Sequence, residues 1–417
     1  MKPDSISPLD LIQARISEVP AGWQLCKVDE ALNIRNNFRK PISQEVRETI
    51  KGQYPYYGPT KVQGYISEYE QDGTYALIGE DGDHFLKFGA MAQTQFISGK
   101  CTVNNHAHIL ESSTFCDSEW FFNYFKHRDI TNFLSRQGAG RFKLNKATLE
   151  KLPMLVPPLP EQRKIAKILS TWDKAITTTE KLIKTSKQQK KALMQQLLTG
   201  KKRLVNPETG KAFEGEWKYK TINEVATRIQ KKSDDEAHPI LTISSLSGFV
   251  TQEDRYSRYM AGESVKNYIL LKRGEFAYNK GNSKTYQFGC VFDLESFDTG
   301  LVPHVYVCFK LNAGLNHRYF KYLFEADYLK PQLGALVNTG VRNNGLLNIK
   351  PTEFMNTKVP VPSFGEQERI ADVLHTSSEN LKILNAKLAH FKQEKKALMQ
   401  QLLTGKRRVK VDEVEAA

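Results

Sequence analysis

The segment KALMQQLLTG occupies residues 191–200 and returns unchanged at 396–405, a shift of 205 positions. A helix-forming segment copied at that distance restricts the chain to a module written twice, because self-similarity at long range marks repeated architecture. The copy extends upstream. PLPEQRKIAKIL at 158–169 pairs with PSFGEQERIADVL at 362–374, and Glu161-Gln162 falls on Glu366-Gln367 at the same shift.

Between these anchors runs a seam of alternating four- and three-residue steps, the spacing of a coiled coil. In the first copy it reads Ile165, Leu169, Trp172, Ile176, Thr179, Ile183, Ser186, Lys190, Leu193, Leu197. In the second it reads Ile370, Leu374, Ser377, Leu381, Leu384, Leu388, Phe391, Lys395, Leu398, Leu402. Gly200 and Gly405 stand where a helix is stopped, with Lys and Arg beyond them at its negative end. The tether between the two helices makes their meeting intramolecular, so they are expected to pair with each other, antiparallel if the globules lie at opposite ends.

Each helix follows a globule-sized segment, and the two globules share a frame while differing in sequence. AGWQLCKVDEAL (21–32) parallels GEWKYKTINEVA (215–226). Strand-like patches follow, GTYALIGEDG and HAHILES in one, GEFAYNKGN and HVYVCFKL in the other. More helical stretches come next, at 118–134 and 316–333. The division is therefore 1–20 lead-in, 21–158 first globule, 159–200 first helix, 201–214 linker, 215–362 second globule, 363–405 second helix and 406–417 tail. The expected fold class is α+β: two α/β globules and two long helices pairing as an antiparallel coiled coil, with an internal pseudo-two-fold repeat.

With 60 Lys plus Arg against 46 Asp plus Glu, the net charge is +14, which favours a polyanionic partner. No apolar run approaches the roughly 18–20 residues of a membrane span, and the N-terminus lacks a signal pattern. The five cysteines are scattered and never arranged as CxxC. Reduced thiols in the cytoplasm, without a structural zinc site, are expected. No phosphate-binding loop or dinucleotide fingerprint is present. Glu80-Asp81-Gly82-Asp83-His84 could hold a metal but reads more readily as a polar loop, so no metal is assigned. His106 and His108 are expected to share one face of a strand, without a catalytic partner.

Reading bases takes amide, guanidinium and aromatic side chains, with cations for phosphates. The first globule offers Tyr57, Lys61 and Gln63; Lys100, Asn104, Asn105 and His106; then Arg136, Gln137, Arg141 and Lys143. The second offers Arg255, Tyr256 and Arg258; Lys280, Asn282, Ser283 and Lys284; then Arg342, Asn343 and Asn344. Such Gly/Asn-rich loops also serve as plain turns. An RNA or single-strand binder stacking bases on Tyr54, Tyr56 and Tyr57, or a coiled-coil protein adaptor, stays open on these residues alone.

PPLPEQRKIAKILSTWDKAI and VPSFGEQERIADVL, each leading to a helix ending KALMQQLLTGK, resemble the DNA-specificity subunit of Type I restriction–modification systems. YYGPTKVQGYI, YALIGEDG and KCTVNNHAHIL look like one target-recognition domain of that family, and TISSLSGFV, LLKRGEFAYNKGNSKTYQFGC and VPHVYVCFK like another. The resemblance implies a non-catalytic subunit reading a bipartite duplex target, one half per globule. It further implies that the helices set the spacer and dock two methyltransferase subunits, with restriction (translocase and nuclease) subunits as further partners. S-adenosylmethionine and ATP/Mg would then belong to those partners, and this chain would carry no cofactor. Besides the apolar seam residues, Glu161, Gln162, Glu366 and Gln367 carry the family motif, as partner contacts or as caps at the helix start.

Overall fold

The computed structural model describes residues 6–137, 141–234, 236–256, 262–337 and 347–411. Two compact units result, one from 1–178 together with 388–417, the other from 179–387. The sequence-based division put 388–417 with the second helix and tail. The structure instead gives these residues to the first unit, because the end of the second long helix runs antiparallel to the start of the first.

In the first unit a six-stranded sheet has the order Asn33–Ile34, Ala107–Glu111, Gln71–Gly79, Thr94–Val103, Lys51–Tyr57, Val62–Ile66. All neighbours are antiparallel except Lys51–Tyr57, which runs parallel to Thr94–Val103. Alternation in YALI sends Ala76 and Ile78 to one face and Tyr75 and Leu77 to the other, and both faces are buried. Against the first face packs the helix Ser118–Phe125, which buries Trp120, Phe121, Tyr124 and Phe125. The helical stretch expected to reach residue 134 stops at Phe125. Asp129 there accepts bonds from the Thr131 amide (3.1 Å) and hydroxyl (2.6 Å), a local pairing that competes with helix.

In the second unit a four-stranded sheet has the order Ala226–Ile229, Val307–Leu311, Phe276–Asn279, Cys290–Asp293. The same alternation places Phe276 and Tyr278 in one apolar cluster and Ala277 in another. Tyr278 stacks on Phe354 at 4.3 Å, and the helix His317–Glu325 closes this face with Tyr319, Phe320 and Leu323.

The two long helices, Leu159–Leu197 and Phe364–Leu402, have 39 residues each, about 58 Å of rise. Within the first unit the Trp172 ring meets Phe391 edge-on at 5.6 Å, and Lys395 pairs with Asp173. Ile165 and Leu169 share a core with Leu402, and Leu398 packs against it. Within the second unit Leu197 shares one with Ile370 and Leu374, with Leu193 packed against it. Of the other apolar seam positions Ile183 is buried, and Ile176, Leu381, Leu384 and Leu388 are half-buried. Both helices end in the same way. Gly200 and Gly405 take φ of 70° and 72°, and the amides of Lys202 and Arg407 reach back to the carbonyls of Gln196 and Gln401.

The paired motif residues are not surface groups. Glu161, Gln162, Glu366 and Gln367 are all buried, which sets aside partner contact, one of the two roles that the sequence left open for them. Glu161 accepts from Trp23 Nε1 (3.0 Å) and twice from Arg408 (2.7 Å each). Glu366 accepts from Trp217 Nε1 (3.0 Å) and twice from Arg203 (2.6 and 2.8 Å). Gln162 accepts the Asp117 amide and donates to the Pro157 carbonyl, as Gln367 does with Asn316 and Pro362. Each Glu-Gln pair fastens its helix to its own unit.

Candidate nucleic-acid interface

Four separate stretches of the first unit converge at one end of the six-stranded sheet. The Glu80 amide donates to the His106 carbonyl, and the Leu144 amide donates to the Glu80 carbonyl. The strand end at 79–81 therefore lies between the 104–106 turn and the hairpin Ser135–Gln137/Arg141–Lys143. The Asn104 amide donates to the Tyr57 carbonyl, which brings the 57–62 turn alongside.

Side chains complete the cluster. Glu80 holds Arg39 at 2.8 Å and Lys143 at 3.1 Å, and Arg39 also donates to the Asn105 carbonyl. Asp81 meets His106 Nδ1 at 3.2 Å. Burial by itself raises the Glu80 carboxyl, but Lys143 and Arg39 outweigh it and hold the group below its usual range. The acidic stretch of the sequence is thus a hub for cations from two distant segments. Around this hub Lys61, Gln63, Asn105, His106 and Arg136 are exposed, while Tyr57 and Lys143 are half-buried. Arg136 lies over the Phe142 ring at 5.3 Å, and Gln137 and Arg141 pair through their backbones at the hairpin end.

Three expectations change. Asn104 is buried, with its amide group spent on Gln63 (3.1 Å) and on the His106 amide (2.8 Å), so it shapes the turn and does not face a base. His106 and His108 do not share a face: His106 is exposed in the turn, whereas His108 is buried and bonded to Leu144 and Asn36. Lys100 stands apart from the cluster, over the Tyr69 ring at 4.7 Å, where Tyr69 also meets Tyr54. Arg39 was missed by the sequence reading. Its partners are 41 and 66 residues away, and no local pattern announces it.

In the second unit the hairpin Leu241–Ser244/Gly248–Thr251 leads into the short helix Gln252–Arg255. Arg255 lies over the Tyr256 ring at 5.8 Å, and Tyr256 is 39% exposed. The charge of Arg255 is felt at the Cys290 thiol, where the 280–289 loop ends. In that loop Asn282 and Lys284 are exposed and Lys280 is half-buried, while Ser283 bonds to Tyr286 to form the turn. Arg258, Arg342, Asn343 and Asn344 lie outside the described residues.

Among the described residues one group of three possible metal ligands lies close together, Asp234, Glu236 and His238. Both ring nitrogens of His238 are engaged, with Asp234 at 2.7 Å and Thr299 at 3.0 Å, so the group offers no free imidazole. No helix among the described residues is long and apolar enough to cross a membrane.

Residues 20–187 match the family model for the Type I restriction modification DNA specificity domain. A Type I restriction enzyme specificity subunit of Methanocaldococcus jannaschii is 26% identical over 415 residues, 94% of each chain. A Haemophilus influenzae protein described as a type I restriction enzyme specificity subunit is 36% identical over 142 residues, 34% of this chain and 35% of that protein. The crystal structure of the S subunit of a Type I restriction–modification system from M. genitalium superposes with a TM-score of 0.60. That match covers 93% of this chain and 99% of the other at 13% identity, a likeness of fold.

Proposed function

We propose that the chain is a specificity subunit of the Type I restriction–modification family, as the match at 20–187 and the full-length relative support, and that it reads one half of a bipartite duplex target with each unit. The long helices then set the unspecified spacer and carry the surface on which two methyltransferase subunits dock, with restriction subunits added to that core. The chain itself is non-catalytic and acts in the cytoplasm. S-adenosylmethionine and ATP/Mg are bound and used by the partner subunits.

The observation that carries this reading is the cluster around Glu80. It offers an amide (Gln63), a second amide (Asn105), an imidazole (His106) and a guanidinium (Arg136) at one end of a buried sheet, with Lys61 beside them for phosphate. That is the mixture direct readout requires: amides suit adenine, guanidinium suits guanine and cations fix the register on the backbone. A rigid sheet edge holds such groups more accurately than a free loop.

The test is to map methylated adenines in DNA from cells carrying this chain with its modification subunit. A split motif that depends on the chain, and changes in one half when residues 21–158 are exchanged, supports the reading. Modification that persists without the chain, or that ignores the exchange, removes it.

A further inference from the structure

The outward line of the first long helix is strongly basic, and the corresponding line of the second is not. Six positions lie two residues before seam positions: Arg163, Lys167, Lys174, Lys181, Lys184 and Lys191. Two residues turn an α-helix by about 200°, so these side chains emerge on the side opposite the seam. All six are exposed. Arg163 is paired with Asp117 at 3.1 Å, which leaves five lysines as the open stripe. In the second helix the same line includes Glu368, Asp372 and Glu379 as well as Lys382 and Lys396. Over their full lengths the first helix carries nine cations and three carboxylates, the second six and five.

Two copies of one methyltransferase subunit would need like surfaces on the two repeated helices. The apolar seam and the Glu-Gln fastenings are repeated closely, but this outward line is not. A feature present on only one of the two helices answers something that is itself present once. We propose that the lysine stripe of the first long helix, Lys167, Lys174, Lys181, Lys184 and Lys191, binds the phosphate backbone of the spacer duplex between the two half-targets. Spacer base pairs are not read, so they need phosphate contacts and no base contacts. From Lys167 to Lys191 the helix rises about 36 Å, close to the ~34–36 Å of one duplex turn. The inference rests on the proposed reading of a split duplex target and adds a sequence-independent part to it.

The test uses the full chain and a random-sequence duplex several turns long. Affinity is measured across a range of salt for the unaltered chain and for a variant with all five lysines changed to Gln. Each phosphate contact contributes ~0.9 to the slope of log affinity against log salt, so the variant's slope should be shallower by about 4, and single Lys→Gln changes by about 1 each. Lys382→Gln with Lys396→Gln on the second helix should leave the slope nearly unchanged. Lys and Gln have similar helix propensity, and an unaltered unfolding midpoint confirms that the variants fold. Preference for the mapped target over random duplex should survive, as should co-purification with the modification subunit. An unchanged slope overturns the proposal. So does loss of the modification subunit with the slope intact, which would make the stripe a protein-docking face. If the unaltered chain fails to bind any duplex, the recognition reading falls with it.

Discussion

Arg408 grips Glu161 with two bonds of 2.7 Å, and Arg203 grips Glu366 in the same manner at 2.6 and 2.8 Å. Each guanidinium also reaches a backbone carbonyl, Ala21 for Arg408 and Gly215 for Arg203, and lies 5.7 Å from a tryptophan ring. The carboxylate partners are buried, so the bonds are needed to compensate their desolvation. The side chain of Arg203 is 25% exposed and that of Arg408 is 42% exposed.

Removing either arginine therefore strands a buried charge. Arg203→Ala is expected to cost about 3 kcal/mol and the more solvated Arg408→Ala about half of that. Denaturant unfolding followed by tryptophan fluorescence measures both, since Trp217 and Trp23 report on the two sites. Equal stability of both variants and the parent would mean that the tryptophan donors alone satisfy the carboxylates.

Gln63→Ala and Arg136→Ala should each cost about 1–3 kcal/mol of binding to the mapped target and relax preference in one half-site only. Lys61→Ala should instead weaken binding to all duplexes alike and reduce the salt slope by about 1. Competition titrations with duplexes altered in either half separate the two patterns. Loss of discrimination in the other half-site would contradict the assignment.

Asp327 sits in a left-handed turn (φ 55°), and burial pushes its carboxyl up to about 6 against a weaker opposing pull from Lys330. A raised carboxyl favours the folded state while protonated in it. Its contribution is full below the unfolded value of ~3.9 and is lost as pH rises through about 6. Asp327→Asn removes that loss and tolerates the same turn. Thermal unfolding should show the variant more stable than the parent at pH 7.5, with the gap closing toward pH 4. A gap that stays constant with pH would place its origin elsewhere.

All five cysteines are free and buried. Burial is the leading cause that pushes the thiols of Cys26, Cys290 and Cys308 up to about 12 and that of Cys101 to about 11, and Cys116 is also raised. Thiolates are the reactive form. A disulfide reagent at pH 7.5 should titrate essentially none of the five in the folded chain and all of them after denaturation. Rapid labelling of the native protein would show that one of these sites opens.

The long helices were legible because a 3.5-residue period needs only local sequence to be seen, and it puts both Trp172 and Phe391 on the seam, while the register that brings them together is set by the fold. The glycine stops were legible for the same reason, since Gly200 and Gly405 act within their own turns. Glu161 and Glu366 stayed between partner contact and cap because a charged residue at a helix start suits either. Their burial depends on arginines that lie 247 and 163 residues away. The linker after the first helix has its counterpart in the tail after the second and not in the lead-in at 1–20. Arg408 of the tail does for the first unit what Arg203 does for the second. In the recognition cluster the residue types could be listed but not sorted: Asn104 and Asn105 are neighbours, and only the turn decides which one faces inward.

Synthesis from the N-terminus makes the two units unequal in time. Residues 179–387 form a contiguous run, so the second unit is complete as soon as its own stretch has emerged. The first unit lacks Leu402, Leu403 and Arg408 until the last part of the chain is made. At roughly 5–20 residues per second, the 247 residues between Glu161 and Arg408 leave the nascent chain carrying Glu161 and the open edge of its core for about 12–50 s. The N-terminal half is thus the segment exposed to chaperones and proteases on the ribosome, and a stop codon before Arg408 would damage the half of the protein that was translated first.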